Sequence, residues 1–439
     1  MKKYIVPSLA ALMAAAFLTT AQAKEIGMNV PSPPLNEARI TELAGPQSKA
    51  WLDYLARSKA RMTADQDALL AERKGLTTIP AEPATGNGEA TMPLKAEAAW
   101  YKTPEARAVA DSIVSYQTPA GGWGKNQPYN VPPRQKGQAY VGGNENRVND
   151  PANFDRPLID KWSYVGTTDN GATITEIRYL ARVAAQNPAE AAPYHNSIVR
   201  GIEYLLAAQF PNGGWPQVWP LQGGYHDMVT LNDNAMEGVI SLMRDAGAGQ
   251  AQGKGDFAFL PDALKARARA AEQAGLKALL AGQVVIDGKL TLWPQQYDPL
   301  TGQPTSARNY EPPSLSSTES AGILMYLMQR PDPSPEEVKA VHAGVAMLKQ
   351  LKIDGYVFKR VEGDDGRRLH AQADAPPLWS RYYDMKALKP IFSDRSKQIF
   401  DTVDDVSAGR RNGYAWFSTS PQKAIETYEG WRAKHPQVK

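Results

Sequence analysis

The stretch Gln117-Thr118-Pro119-Ala120-Gly121-Gly122-Trp123 returns, with matched residue types, as Gln209-Phe210-Pro211-Asn212-Gly213-Gly214-Trp215. Each copy follows an amphipathic segment; ahead of the second, Ile198, Ile202, Leu205 and Leu206 recur at helical spacing. Glycine just past such a segment ends a helix, and a Trp after the turn folds back onto it. A weaker copy is read from Gln350 to Tyr356. Repeating helix–turn units bury their apolar faces only against one another, which points to paired helices in an (α/α) toroid. The expected fold is mainly α: a toroid-like domain of helical hairpins with long functional loops and few short strands.

Working outward, helices are predicted over about 47–74, 104–117, 170–186, 194–209, 232–246, 261–281, 318–329, 334–351 and 422–434. Thr103 is placed to cap its helix, with Pro104 in the first turn. The best strand-like runs are Gln283 to Ile286 and Tyr356 to Lys359. Loops as long as 118–168 and 287–317 in a compact domain are usually functional or disordered, and Trp123, Trp162 and Trp293 within them favour ordered, functional loops. Residues 75–94 are rich in Thr, Pro and Gly and read as a linker. The expected organisation is an N-terminal helical appendage and linker over 24–94 and a catalytic domain over 95–439.

The chain opens Met1-Lys2-Lys3, runs apolar from Tyr4 to Phe17, and reaches Ala21-Gln22-Ala23 before Lys24. This is the pattern of a cleaved secretory signal over 1–23. The apolar run is too short, and too interrupted by Pro7 and Ser8, for a membrane anchor. The expectation is a secreted protein, extracellular or periplasmic, monomeric and without membrane attachment in its mature form. Its 439 residues include no Cys, which excludes disulfides, thiolate metal sites and a Cys nucleophile. With 49 Lys and Arg against 46 Asp and Glu, no global field draws it onto nucleic acid.

Several polar clusters stand out. Thr167-Thr168-Asp169-Asn170-Gly171-Ala172-Thr173 leads into a predicted helix, as does Asn232-Asp233-Asn234. A helix cap accounts for one residue of each cluster, Thr168 or Asp169 in the first. The remaining hard oxygens suit Ca²⁺ or sugar hydroxyls, so Asp169 and Asp233 together are candidate metal ligands. His226-Asp227 is a candidate acid/base pair, although a His beside Gly-Gly-Tyr is more often structural. In Arg308-Asn309-Tyr310-Glu311-Pro312-Pro313, Glu311 is held extended by the prolines, and Ser316 or Ser317 caps the next helix. Arg381, among Trp379, Tyr382 and Tyr383, suits sugar rings and planar carboxylates. Lys125, after Gly121-Gly122-Trp123-Gly124, suits an acidic sugar better than a nucleotide, because no Walker spacing is present.

Taken in order, Thr167 to Thr173, Leu231-Asn232-Asp233, Ala307 to Leu315 and Leu378 to Tyr383 resemble pectate lyases of polysaccharide lyase family 10. The Gly121–Asn126 and Gly213–Pro220 loops and Arg410 to Tyr414 fit the same resemblance, which covers roughly 100–430. It implies a toroid, secretion, Ca²⁺ and β-elimination of polygalacturonate (pectate). It also implies Arg308 as Brønsted base and Asp169, with Asp233 beside it, at the Ca²⁺ site. Substrate contacts would come from Arg381, Lys125, Asp169, Asn170 and Trp123. An Arg normally stays protonated. The role therefore requires Ca²⁺ and cationic neighbours to lower its pKa and a high solution pH, and it implies an alkaline optimum. Two competing readings are an inverting glycoside hydrolase, with its carboxylates among Asp169, Asp233 and Glu311, and a non-catalytic binding protein using Trp-rich loops as stacking platforms.

Overall fold

A computed structural model describes residues 25–143, 153–154, 159, 162–250 and 256–437. The predicted signal segment lies outside these residues. Among them, helices dominate: α1 (Glu37–Leu43), α2 (Ser48–Arg73), α3 (Pro104–Tyr116), α4 (Ile174–Gln186), α5 (Ala192–Ala208), α6 (Ala235–Ala248), α7 (Asp262–Ala281), α8 (Ser317–Met328), α9 (Pro335–Gln350), α10 (Ala408–Gly413) and α11 (Ser420–Trp431). Strands are two to four residues long. The predicted helices form within a few residues of their expected bounds. The short α1 and α10 were not foreseen, because one or two turns leave no periodicity to read. Thr103 caps α3 as expected, accepting from the Ala106 N–H.

The helices pack in pairs, α4 on α5, α6 on α7, and α8 on α9 and α11. Their facing stripes (Ile177, Leu180, Ile198, Ile202, Ile240, Leu279, Leu324, Val345) are fully buried in one core. The repeated turns hold the pairs together. Gln117 Nε2 donates to Gly121 O at 2.8 Å and to Ser197 O at 2.9 Å, bridging its own turn to the next helix. Gln209 does the same with Gly213 O and Ala271 O, both at 2.9 Å. Trp123 and Trp215 fold back to donate their indole N–H to Ile113 O and Leu205 O, each at 2.8 Å. Gly121 needs its hydrogen: its φ is +109°, and a Cβ there would sit 2.5 Å from Arg200 O.

The repeat extends further than the sequence displays it. Gln283 bonds Thr291 O and Ala340 O, and Trp293 donates to Leu279 O at 2.7 Å. The counterpart after α9 is Trp379, which donates to Leu348 O at 2.7 Å. This corrects the weaker copy read at 350–356. A hairpin of Tyr356–Lys359 with Arg368–Ala371 lies between that helix and its Trp.

The segment read as an appendage shares the main core. Leu35, Ile40, Trp51, Tyr54 and Met92 are buried in it, and the Tyr54 hydroxyl donates to Ala208 O at 2.9 Å. Glu25–Met28 pairs with Gln398–Phe400 in a three-stranded sheet with Phe392–Ser393. A second, aromatic core of Tyr310, Tyr382, Phe392, Tyr414 and Trp416 lies in the C-terminal part.

Candidate active site

Short ladders stitch the helix-connecting loops to one another. Thr167 bridges Val218, Val229–Thr230 pairs with Gln296–Tyr297, Leu315–Ser316 with Tyr382–Tyr383, and Trp379–Ser380 with Phe417–Ser418. The loops carrying Asp169, Asp233, Arg308 and Arg381 are thereby fixed side by side. The one-turn segments Asp169–Gly171 and Asn232–Asn234 pack together ahead of α4 and α6. Positive helix termini therefore converge there, which favours anions.

The local backbone is unusual. Asn126, Asn170, Thr173, Asp233 and Asn234 all have φ between +51° and +66°. L-residues rarely adopt this region, Asn and Asp tolerate it best, and such strain collects at functional sites. The expected caps are absent: Thr173 and Asn234 occupy the N-cap positions of α4 and α6 without a side-chain capping bond. Neither Thr168 nor Asp169 caps α4, so the Asp169 carboxylate is left for other work. At α8, Ser316 is the N-cap but makes no capping bond, and its hydroxyl instead donates to Glu319 Oε2.

Asp169, 2% exposed, forms an ion pair through Oδ2 with Lys125, and its Oδ1 accepts no hydrogen bond. The Lys125 ammonium also lies 4.5 Å from the Tyr164 ring centroid. Burial raises the Asp233 carboxyl to about 6, with Asp169 and Glu319 adding to the shift while Arg381 and Lys125 oppose it. A pocket of about 230 Å³ is lined by Lys125, Asp169, Asn170, Asp233, Arg308 and Glu311, among others. Five of the predicted site residues therefore meet in one place.

Arg308 is clamped by Glu311: Nε donates to Oε2 at 2.8 Å and Nη2 to Oε1 at 2.5 Å. Burial lowers the Arg308 pKa, but the Glu311 charge and these bonds outweigh it and hold the guanidinium well above its ordinary value. Among the protein groups, the one in contact with Arg308 is a buried carboxylate, which works against the lowered pKa that the role calls for. Burial would raise the Glu311 carboxyl, but Arg308, together with the Tyr414 hydroxyl at 2.6 Å, pushes it down to about 2.

Two expected substrate contacts lie elsewhere. Trp123 is fully buried with its indole N–H on Ile113 O, so it offers no stacking face. Its backbone instead anchors the site: its N–H reaches Thr173 Oγ1, and its carbonyl accepts from Thr167. Arg381 sits behind the pocket, with Nη2 on Asn232 Oδ1 at 2.9 Å and on Glu319 Oε1 at 2.5 Å. Asp227 accepts from the backbone N–H groups of Gln222 and Gly223, while His226 stacks on Tyr225 at 4.0 Å. Those contacts are structural and leave no acid/base pair. Asn232 also lines the pocket, and the rest of the lining is Tyr164, Gln217, Tyr225, Gln295 and Gln296. Sequence reasoning singled out none of the latter, because buried polar residues inside long loops show no periodicity.

The pocket adjoins a wider cleft of about 640 Å³ through Asn170 and Asp233, which line both. The sequence profile described as Pectic acid lyase matches residues 117–425. The chain belongs to this family. It is a pectate lyase, a polysaccharide lyase acting on pectate. It is similar to the solved family 10 polysaccharide lyase from Cellvibrio cellulosa, at 30% identity and TM-score 0.62 over 80% of this chain and 98% of that one. A D-to-A mutant of that enzyme in complex with trigalacturonic acid matches at 29% identity and TM-score 0.62, over 82% and 100%. No curated protein matches the lyase.

Proposed function

We propose that the lyase cleaves polygalacturonate by Ca²⁺-assisted β-elimination with Arg308 as Brønsted base, and that it works as an exported monomer. One observation carries the reading: a single small pocket holds an Arg, a Lys and three carboxylates, and adjoins a wider cleft of about 640 Å³. The trigalacturonic acid held by the similar enzyme makes an oligogalacturonate the natural ligand for that cleft. No described helix is long and apolar enough to cross a membrane.

The residues fit Ca²⁺. Asp169 keeps a buried Oδ1 without a hydrogen bond and an Oδ2 paired to the Lys125 ammonium, and desolvation beside Asp169 makes an Asp233 anion costly until a cation joins it. Among the described residues no cluster of three or more His, Asp or Glu is placed to hold a metal. The two Asp residues would therefore share the ion with substrate carboxylates and water. Bound Ca²⁺ supplies positive charge where the reacting uronate becomes more negative.

The C5 proton of galacturonate lies α to a carboxylate. Arg308, as neutral guanidine, takes it; the electron pair forms the C4=C5 double bond as the C4–O bond breaks. The departing oxygen keeps the bond electrons and is then protonated. The Glu311 clamp uses Nε and Nη2 of Arg308 and leaves Nη1 outside the pair. Lys125, 21% exposed at its side chain, would be the cation for a uronate carboxylate, with Asp169 among the residues that would hold the metal. Arg381 orients Asn232 and moderates Asp233 from behind. Glu311, at about 2, is too acidic for a glycosidase proton donor, and buried Trp side chains offer no binding platform.

Purified protein with polygalacturonate is expected to generate ultraviolet absorbance from the unsaturated ends, lost on chelation and restored by Ca²⁺. Reducing ends without that absorbance would mean hydrolysis instead. Arg308→Ala is expected to abolish turnover with an unchanged circular dichroism spectrum; retained turnover removes Arg308 from the chemistry.

A further inference from the structure

The cleft beside the catalytic pocket has one wall made by residues that precede the family match at 117. Gly86, Asn87, Gly88, Glu89 and Met92 line it. This wall is fastened to the loop carrying Lys125: Gly86 N–H donates to Asn126 O at 2.9 Å, and Tyr129 N–H to Thr91 Oγ1 at 3.1 Å. Gly88 lies so close that a Cβ would be 2.5 Å from Gln127 O. Asn87 Oδ1 accepts from the Ala90 N–H and shapes the turn. The floor includes Glu176, 2% exposed, whose Oε1 accepts from the Tyr129 hydroxyl and whose Oε2 has no partner.

The chemistry of the cleft differs from that of the pocket it joins. Its described lining holds the amides of Asn87, Asn126, Gln127, Asn170 and Asn234 and the carboxyls of Glu89, Glu176 and Asp233, and neither Lys nor Arg. Asp233 belongs to the proposed metal pair, so Glu89, exposed on the wall, sets the sign at the far side. A free uronate there faces like charge, whereas an uncharged unit finds hydroxyl and carbonyl partners. We infer that the 86–92 wall forms a subsite for an uncharged sugar unit of the polymer, a methyl-esterified galacturonate, next to the pocket that takes a free uronate. The inference rests on the pectate-cleaving function above and deepens it.

The test compares kcat/KM on fully de-esterified polygalacturonate and on partly methyl-esterified pectin, for wild type and Glu89→Lys, in Ca²⁺. The ratio of esterified to free substrate is expected to fall about fivefold in Glu89→Lys, because an introduced cation rewards the free acid. Asn87→Ala, which removes the amide and loosens the turn, is expected to raise KM for the esterified chain more than for the free one. An unchanged ratio in both variants, with wild-type melting temperatures, overturns the subsite. Calorimetry on Arg308→Ala with free and methyl-esterified trigalacturonate separates the two claims. If wild type turns over neither polymer but Glu89→Lys still shifts the binding preference, the lyase mechanism fails and the subsite stands. If the methyl ester does not bind, the subsite fails whatever the turnover.

Discussion

Arg308 and Glu311 sit three residues apart in a tight turn, closed by the Glu311 N–H on Arg308 O at 2.9 Å. Pro312 and Pro313 follow, so the turn is stiff where the proposed base must be positioned. Their pairing decides the pH behaviour. With the Arg308 pKa held well above ordinary, the deprotonated fraction grows about tenfold per pH unit through the alkaline range. The rate is expected to keep climbing with pH until the protein unfolds, and a plateau near neutrality in a pH–rate profile would contradict it. Arg308→Lys keeps the charge but loses the fork, and kcat is expected to fall by about 10³. Glu311→Gln removes the buried counter-charge of a guanidinium whose side chain is 34% exposed. It is expected to cost about 1 kcal/mol in urea unfolding, solvent screening the remaining charge, and to move the alkaline rise to lower pH, because the group that raises the Arg308 pKa is gone.

At the scale of elements, the Gln–Gly–Gly–Trp turn is the joint between helix pairs and also the stem of the Lys125 loop. Gly121→Ala places a Cβ in a left-handed backbone against Arg200 O. It is expected to destabilise by about 2 kcal/mol, and to raise KM because Lys125 and Asn126 lie just beyond. Asn170→Gly, at φ +51°, is expected to leave the melting temperature nearly unchanged and to weaken binding through loss of the amide. Asn170→Val is expected to lower both, since a β-branched side chain resists that φ. Two copies of the turn were legible because Gln and Trp are six residues apart in each. The third and fourth were hidden, because a short hairpin of Val285–Ile286 with Lys289–Leu290, and a longer insertion before Trp379, stretch the spacing. The helix starts at Asp169 and Asn232 were legible as polar clusters. Capping was the wrong reason for them, because backbone torsion and loop packing, not propensity, set those turns.

Across the whole molecule, burial sets up an opposition between stability and rate. Desolvation raises Asp227 and Glu176 to about 7 and Glu237 to about 8. In the unfolded chain these groups ionise near 4, so between about pH 4 and 8 the folded state binds more protons and stability falls as pH rises. Glu311, pushed down to about 2, acts the other way: its contribution is present above its unfolded pKa and is lost as pH falls toward 2. The melting temperature is therefore expected to peak in mildly acidic solution and to decline by several degrees toward pH 9, while activity rises. Added Ca²⁺ is expected to recover part of the loss, because the proposed site at Asp169 and Asp233 exists only in the folded chain. Scanning calorimetry at pH 5, 7 and 9, with and without Ca²⁺, checks both, and a pH-independent melting temperature would contradict the burial argument.

By itself the sequence determined that the chain is mainly helical and built of repeated turns, and it named Lys125, Asp169, Asn170, Asp233 and Arg308. Periodicity, Gly–Trp punctuation and clustered oxygens are local signals, readable wherever neighbours along the chain carry them. Only the tertiary structure decided which partner each charge meets. Glu311 took Arg308, Glu319 took Arg381, Trp123 went to the core, and the segment before the family match became a wall of the cleft. These outcomes depend on burial and on contacts between distant loops, and neither leaves a mark on the residues nearby in sequence.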